Sequence, residues 1–545
     1  MQNHTAGTDL TEAGGPAQGE RDMANRRRNG LSRRSLLKGA SALGMASLAG
    51  PWLVGRASAA GATLRAGITG YDVINTLDPG KATLIPEYYV IWAIFNGLLK
   101  FDEKMEIVPD LAESYKVAAD GSLEFKLHAN VKFHDGSAMT SEDVKFTLER
   151  LLDDKFASPN RSKVSAIDQV TAVDPTTVRI KTKEPFAPLL TFLTNARTGT
   201  QILPKGVVER VGAEAFGQKP IGTGAFMVKE WSAKERVVLE ASPHYFYQGL
   251  PKLGAVDMPL ISEESSGVTA LLGNQIDLTS TAPFADVPEL EKRTDIKVFR
   301  QAGLNTRFIA LNHRKPPFDD VHFRRAVSLA FDRDAMVKVV LFGEGVPSHG
   351  LIPPSLKFAY DPKPRELTTF NAARAKEELA KSKYKAGTEA AILTWGAGWW
   401  KRVAEVWTAQ VNQTLGTMLR VEVTEANTVY ARQRAGDFQG SVWGWLGFVD
   451  PDEYLYDVLY SKGYRNFQGY SNPKLDDLLV KARQELDRSK RGALYKEAEA
   501  MMIEDMPIVP CFCSNVHNLA STKVSGFVQL PYSNYGDTFQ SISIA

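Results

Sequence analysis

The chain runs to 545 residues, 43% of them hydrophobic and 23% charged, with 65 Lys and Arg against 63 Asp and Glu. That size supports more than one hydrophobic core, and a formal charge of +2 offers no cationic field for nucleic acid or an anionic membrane surface. The first 59 residues hold eight Lys and Arg and four Asp and Glu, which leaves 57 positive and 59 negative charges beyond them, and no later apolar run reaches the ~20 residues of a membrane-spanning helix.

From the N-terminus, Ser32-Arg33-Arg34-Ser35-Leu36-Leu37-Lys38 resembles the twin-arginine export signature. The moderately apolar run that follows, Ala40 to Val54, carries Gly44, Gly50 and Pro51 and is too short to span a bilayer. Ala57-Ser58-Ala59 then supplies a small-x-small cleavage pattern, so residues 1–59 are expected to be a signal peptide cut after Ala59. Arg26-Arg27-Arg28 alone would suit a basic cytoplasmic tail. Charge, apolar run and cleavage site in that order do not. Met23 offers an alternative start, and no Cys follows the apolar run. A soluble periplasmic protein exported by the twin-arginine pathway, without a lipid anchor, is the expectation.

Beyond residue 60, strands and helices alternate. Leu123 to Leu127 has the period of a half-buried strand, and Asp120-Gly121 before it is a hairpin-type turn. Thr140 with Asp143 three residues on predicts a capped helix start, followed by Val144, Leu148, Leu151 and Leu152 at helical spacing. Further strands are expected at Val178–Lys181 and Val237–Glu240, and one helix from Phe323 to Leu341. Asn472-Pro473 reads as a cap followed by Pro at the first helical position. A stripe of Leu475, Leu478, Leu479, Ala482 and Leu486 follows, resumed by Leu494, Ala498, Met501 and Met502. This alternation predicts an α/β protein of more than one lobe. The only cysteines, Cys511 and Cys513, lie ~6.5 Å apart if they share one strand face, near the upper limit for a bridge. Two free or partly buried thiols are expected, with a strained local bridge as the other state.

Enzyme chemistry is largely missing. There is no Gly-x-Ser-x-Gly, no His-Glu-x-x-His and no phosphate-binding Gly-x-x-x-x-Gly-Lys-Ser/Thr. The eight histidines are scattered, without zinc spacing. His313 and His322 read as surface or capping residues rather than ligands. Asp319-Asp320 and Asp476-Asp477 read as helix first-turn carboxylates rather than a catalytic pair. No catalytic residue, metal site or cofactor is expected.

A series of spaced blocks resembles the extracellular solute-binding proteins of family 5, the peptide- and nickel-type periplasmic receptors of ABC importers. The blocks are Leu77-Asp78-Pro79, Phe95-Asn96-Gly97-Leu98, Pro109-Asp110-Leu111-Ala112, Lys132-Phe133-His134-Asp135-Gly136, Glu142-Asp143-Val144 and Glu149-Arg150. They continue with Gly222-Thr223-Gly224-Ala225-Phe226, Asn312 with Pro316 to Asp320, Arg324-Arg325-Ala326, Ala330 to Arg333, Tyr470 to Pro473 with Leu475-Asp476, and Met506 to Pro510. Turn and cap chemistry accounts for each alone, but not for their joint order from Leu64 to Phe539.

The resemblance implies an α/β fold: a two-lobed periplasmic binding protein (type II, cluster C) with an extra domain inserted in the first lobe. It divides the chain into 60–106, 222–308 and 512–545 for the first ligand-binding lobe, 107–221 for the insert and 309–511 for the second lobe. Closure over a solute would be read by permease and ATPase subunits, with the twin-arginine translocase as partner during export and a monomer as the expected state. Trp395, Trp399, Trp400, Trp443, Trp445 and Phe448 concentrate aromatic area in the second lobe, half of it expected to be core. Trp395 to Trp400 reads as a strand end, a Gly-containing loop and a helix start, and Trp443-Gly444-Trp445 as a second such loop. By resemblance, Trp445, Trp400 and Glu87 fall at pocket positions.

One departure stands out. Peptide receptors of the family place an amine-pairing Asp three residues after the pocket tryptophan, where this chain has Phe448. Asp450 is the expected substitute, or Asp452 behind it, unless the ligand has no amine there. A peptide-like solute is expected; a sugar, an opine, a modified peptide or a metal chelate stays open, as does an exported hydrolase.

Overall fold

The computed structural model describes residues 61–118, 121–363, 365–396 and 399–545. The expected signal peptide lies outside the described residues. Two long stretches set the architecture. Ile296–Leu311 and Ile508–Ser521 are strands of 16 and 14 residues, antiparallel to each other from Ile296 opposite Ser521 to Ala310 opposite Ile508. They form the middle of an 11-stranded sheet, and their two ends serve different halves of it.

On the Ile296 side, Leu278–Thr279 pairs antiparallel with Ile508–Ser521 and parallel with Thr63–Thr69, which runs parallel to Ala255–Ile261. Arg236–Ala241 and Phe226–Ser232 complete that half as antiparallel strands. On the Leu311 side, Gly440–Trp445 pairs antiparallel with Thr306–Leu311, and Glu389–Trp395 runs parallel to both Gly440–Trp445 and Met418–Thr424. These halves are the two lobes of the expected α/β fold. Between them the register of the crossing strands breaks from Ala302 to Asn305. Gly303 sits in the break, where a Cβ would stand 2.7 Å from the Ser514 carbonyl oxygen. Glycine is what allows the two backbones to stay this close.

A separate four-stranded antiparallel sheet takes the order Ala112–Val117, Leu123–Leu127, Thr177–Thr182, Ile167–Asp174. The helix Ser141–Leu152 packs on it, and Phe125, Leu127, Val144, Leu148, Val178 and Ile180 fill a core of its own. The helix begins as its sequence predicts, with the Thr140 amide donating to Asp143 Oδ2 at 2.8 Å. Asn472 likewise caps Pro473–Gln484, accepting from the Lys474 amide at 3.1 Å.

Two helical expectations are corrected. The helix expected from Phe323 to Leu341 is two helices, Val321–Leu329 and Arg333–Leu341. Asp332 interrupts it by turning its carboxylate to the Ala335 amide at 3.0 Å and starting a new helix. In the same way Asp487 accepts from the Lys490 amide at 2.9 Å and starts Arg488–Asp505, so Leu486 lies between helices, exposed, rather than on a stripe. Asp320 caps Val321–Leu329, Asp319 is held by Lys383 and Tyr384, and Asp476 accepts from the Ser461 amide. His322 bonds Glu378, while His313 is part-buried against Tyr470. Cys511 and Cys513 are unpaired and buried, and burial pushes both thiols up to about 12.

Candidate functional site

The second-lobe end of the crossing strand carries a charge in an apolar setting. In Leu304-Asn305-Thr306-Arg307-Phe308-Ile309-Ala310-Leu311, Thr306 stands opposite Trp445 and Arg307 opposite Gly444. The Arg307 side chain lies back across Gly444, where a Cβ would come 2.5 Å from Arg307 Cδ and 2.8 Å from its Nη1. Only glycine leaves that room. Nη1 donates to the carbonyl oxygens of Thr306 at 2.7 Å and Trp445 at 3.0 Å. The rings of Trp399 and Trp400 face the guanidinium at 4.0 and 4.4 Å, a favourable cation–π arrangement.

Arg307 is 2% exposed. Among the described residues no carboxylate oxygen lies within 4.0 Å of it, and its Nε has no hydrogen-bond partner. Burial brings the guanidinium down to about 9. Thr306 Oγ1 and Trp445 Nε1, on the two residues whose carbonyls hold Nη1, are also buried without a partner. A buried charge without a counter-charge costs several kcal/mol, so this cluster is unfinished as a piece of core.

The aromatic residues divide between packing and this cluster. Trp443 stacks on Phe467 with ring centroids 4.9 Å apart and is core. Trp400 stacks on Trp399 and tilts against Trp395, at 4.6 and 4.2 Å. Trp445 packs against Phe308 and Phe448, at 5.9 and 5.3 Å, with the Arg465 guanidinium 5.0 Å from its ring. The reading of Trp395 to Trp400 agrees with a strand ending at Trp395 and a helix Trp399–Leu415. Trp443-Gly444-Trp445 is not a loop but the end of the strand Gly440–Trp445, because its backbone pairs with Thr306 to Phe308.

Arg465 and Phe448 continue from Trp445 into a cavity of about 610 Å³ between the lobes and the four-stranded unit. Thr83 and Arg197, Asn160 and Lys163, and Glu453 with Asp457 line it from three sides. Burial depresses the Lys163 ammonium, and the same burial raises the Glu453 carboxyl. Arg465 stands 3.5 Å from Asp457.

The structure sets the Trp400 ring on the Arg307 guanidinium, while Trp445 meets Arg307 through its backbone carbonyl and packs its ring on Phe308 and Phe448. The expected carboxylates lie in internal networks instead. Glu87 accepts from the amides of Thr83, Leu84 and Asn75 at 2.7, 2.8 and 3.3 Å, closing the start of the helix Ile85–Ile94. Asp450 is 1% exposed and pairs through both oxygens with Arg491; it accepts from Thr191 Oγ1 at 2.8 Å and caps Pro451–Leu459. Asp452 is bidentate to Arg483, at 3.2 and 2.7 Å. An amine reaching Asp450 would have to displace Arg491. Arg307 was not among the expected site residues, and its one signal was a charged residue inside an apolar strand pattern. Among the described residues no group of three His, Cys, Asp or Glu is placed to hold a metal ion, and no helix is long and apolar enough to cross a membrane.

Known proteins share this architecture. The glutathione-binding protein GsiB of Escherichia coli is 27% identical over 473 residues, covering 84% of this chain and 90% of that protein. HbpA2 from Haemophilus parasuis superposes with a TM-score of 0.79 at 25% identity, over 89% of this chain and 100% of that one. The periplasmic binding protein DppA from Helicobacter pylori, in complex with the peptide STSA, superposes with a TM-score of 0.75 at 26% identity, over 89% and 99%. The family profile described as bacterial extracellular solute-binding proteins, family 5 middle, matches residues 106–467, the span that holds the four-stranded unit, Arg307 and the tryptophans around it, and the chain belongs to that family.

Proposed function

We propose that this protein captures a peptide-like solute between its two lobes in the periplasm and delivers it unchanged to the permease and ATPase subunits of an ABC importer. The observation that carries the reading is the match over most of both chains to relatives named for peptide ligands, glutathione for GsiB and STSA for DppA. The fold supplies the physical means. Lobes joined through two shared strands can part and close, and a solute that gains contacts only in the closed form shifts the population toward it. We assign 60–106, 222–308 and 512–545 to the first lobe, 107–221 to the insert and 309–511 to the second lobe. Trp400 and Trp445 line the solute site, whereas Glu87 and Asp450 hold the helices around it. Export through the twin-arginine translocase, directed by Arg33 and Arg34, belongs to the same proposal.

The test is incubation of the purified protein with peptide and glycoside libraries, followed by native mass spectrometry and thermal unfolding. The expected result is one bound peptide per chain, recovered intact, with a raised Tm because ligand binds only the native state. Turnover that disappears when an Asp or Glu of the cavity is replaced would mean a hydrolase. A bound sugar or opine would keep the receptor and change the solute class.

A further inference from the structure

We propose that Arg307 is the subsite for a carboxylate of the solute, so that the receptor selects by an anionic group and not by an amine. The inference rests on the receptor reading above and names the chemistry its solute must carry. A guanidinium offers two edges for paired hydrogen bonds. Nη1 of Arg307 is spent on the carbonyls of Thr306 and Trp445. The edge formed by Nε and Nη2 makes no hydrogen bond among the described residues, and its Nε is buried. That edge is the fork that grips a carboxylate through two parallel bonds. The ionisable groups that act on Arg307 are one thiol and two phenols, Cys513, Tyr430 and Tyr454. Among the described residues no carboxylate answers its positive charge, while Arg483 and Arg491 each have an aspartate.

Gly444 below and Trp399 with Trp400 above hold the guanidinium in plane, which is the preorganisation that planar recognition needs. The absence of an amine-pairing acid fits the same picture. Phe448 occupies that place, and both oxygens of Asp450 belong to Arg491. In this conformation the edge is covered, so the carboxylate enters when the lobes part or the Trp399–Trp400 pair swings off the guanidinium.

The experiment compares full-length mature protein with its Arg307→Lys and Gly444→Ala variants. Each is first analysed as purified from its own host by native mass spectrometry. Each is then unfolded by refolding-based ligand stripping and titrated with three pools: tripeptides with free termini, the same tripeptides C-terminally amidated, and the same tripeptides N-acetylated. The expected co-purified solute carries a carboxylate and is retained by the wild type only. Free and N-acetylated pools are expected to bind alike, and the amidated pool at least 30-fold more weakly, the size of effect when one partner of a buried charge pair is removed. Arg307→Lys should abolish most of that discrimination; because it also gives up the bonds to the Thr306 and Trp445 carbonyls, its midpoint falls, and the readout is the ratio of free to amidated binding measured well below that midpoint. Gly444→Ala, whose Cβ would meet the Thr306 carbonyl oxygen as well as Arg307 Cδ, should lower the same ratio together with the unfolding midpoint. Equal binding of free and amidated peptides, or a co-purified solute without an anionic group, overturns the inference and leaves the receptor reading intact. An anionic solute that is not a peptide, lost on Arg307→Lys, supports the inference and removes the peptide class.

Discussion

Asp450 and Trp445 stand five residues apart and answer to different forces. The Asp450 carboxylate is neutralised by Arg491, itself buried, and tied by Thr191 to the segment that follows the four-stranded sheet. Asp450→Asn removes the counter-charge of a buried guanidinium, and we expect a loss of about 3 kcal/mol in urea unfolding at neutral pH. If stability is unchanged while binding of amine-bearing peptides falls, Asp450 faces solute rather than Arg491. Trp445, by contrast, packs between Phe308, Phe448 and Arg465, the last two of which line the cavity. Trp445→Ala should weaken solute binding by about 2 kcal/mol or more, the scale of a central aromatic anchor, as read by calorimetry. Trp400 and Trp445 stand out in the sequence because Gly398 and Gly444 lie close by. The partners of the carboxylates do not, since Arg491 and Arg483 are brought to Asp450 and Asp452 only by the packing of distant helices.

At the scale of elements, the blocks that marked the family turn out to be joints. His134, from the turn before Ser141–Leu152, accepts from the Gly222 amide at Nδ1 and meets the Gly224 carbonyl at Nε2, 3.2 and 3.1 Å away. A Cβ at Gly222 or Gly224 would collide with the backbone at the end of the helix Ile85–Ile94. Three segments far apart in the chain thus meet at one ring. Burial brings His134 down to about 4, so the native state refuses a proton that the unfolded chain accepts near 6.5. The folded value is depressed, which means stability is intact above 6.5 and declines as pH falls toward 4, by about 2 kcal/mol between 6.5 and 4.5. Urea midpoints across that range should fall in the wild type and flatten in His134→Gln; equal slopes would assign the acid sensitivity elsewhere. Strands such as Leu123–Leu127 and the caps Thr140 and Asn472 were readable because each depends on neighbours within a few residues. The break at Asp332 was missed because the apolar spacing continues across it, and only the cap chemistry of the aspartate interrupts the helix.

For the whole molecule, periodicity alone implies alternating α/β structure but not its interleaving. That one sheet takes its centre from residues 296–311 and 508–521 and its flanks from both lobes is a matter of long-range pairing, which leaves no local pattern; the ordered family blocks carried that information instead. Export can be tested at this scale as well. Arg33→Lys together with Arg34→Lys should leave precursor in the cytoplasm while the purified mature chain keeps the Tm and ligand binding of the wild type. Normal periplasmic accumulation of the double variant would mean that the general secretory route suffices. A last consequence follows from what surrounds the Gly444 backbone. A Cβ there would meet the Thr306 carbonyl oxygen at 2.3 Å before it met Arg307 Cδ at 2.5 Å, so the strand pairing holds the glycine as firmly as the arginine does. Over evolutionary time the dependence runs one way. Descendants can exchange Arg307 and still keep glycine at 444, whereas a side chain gained at 444 would dislodge both the arginine and the pairing of the two strands.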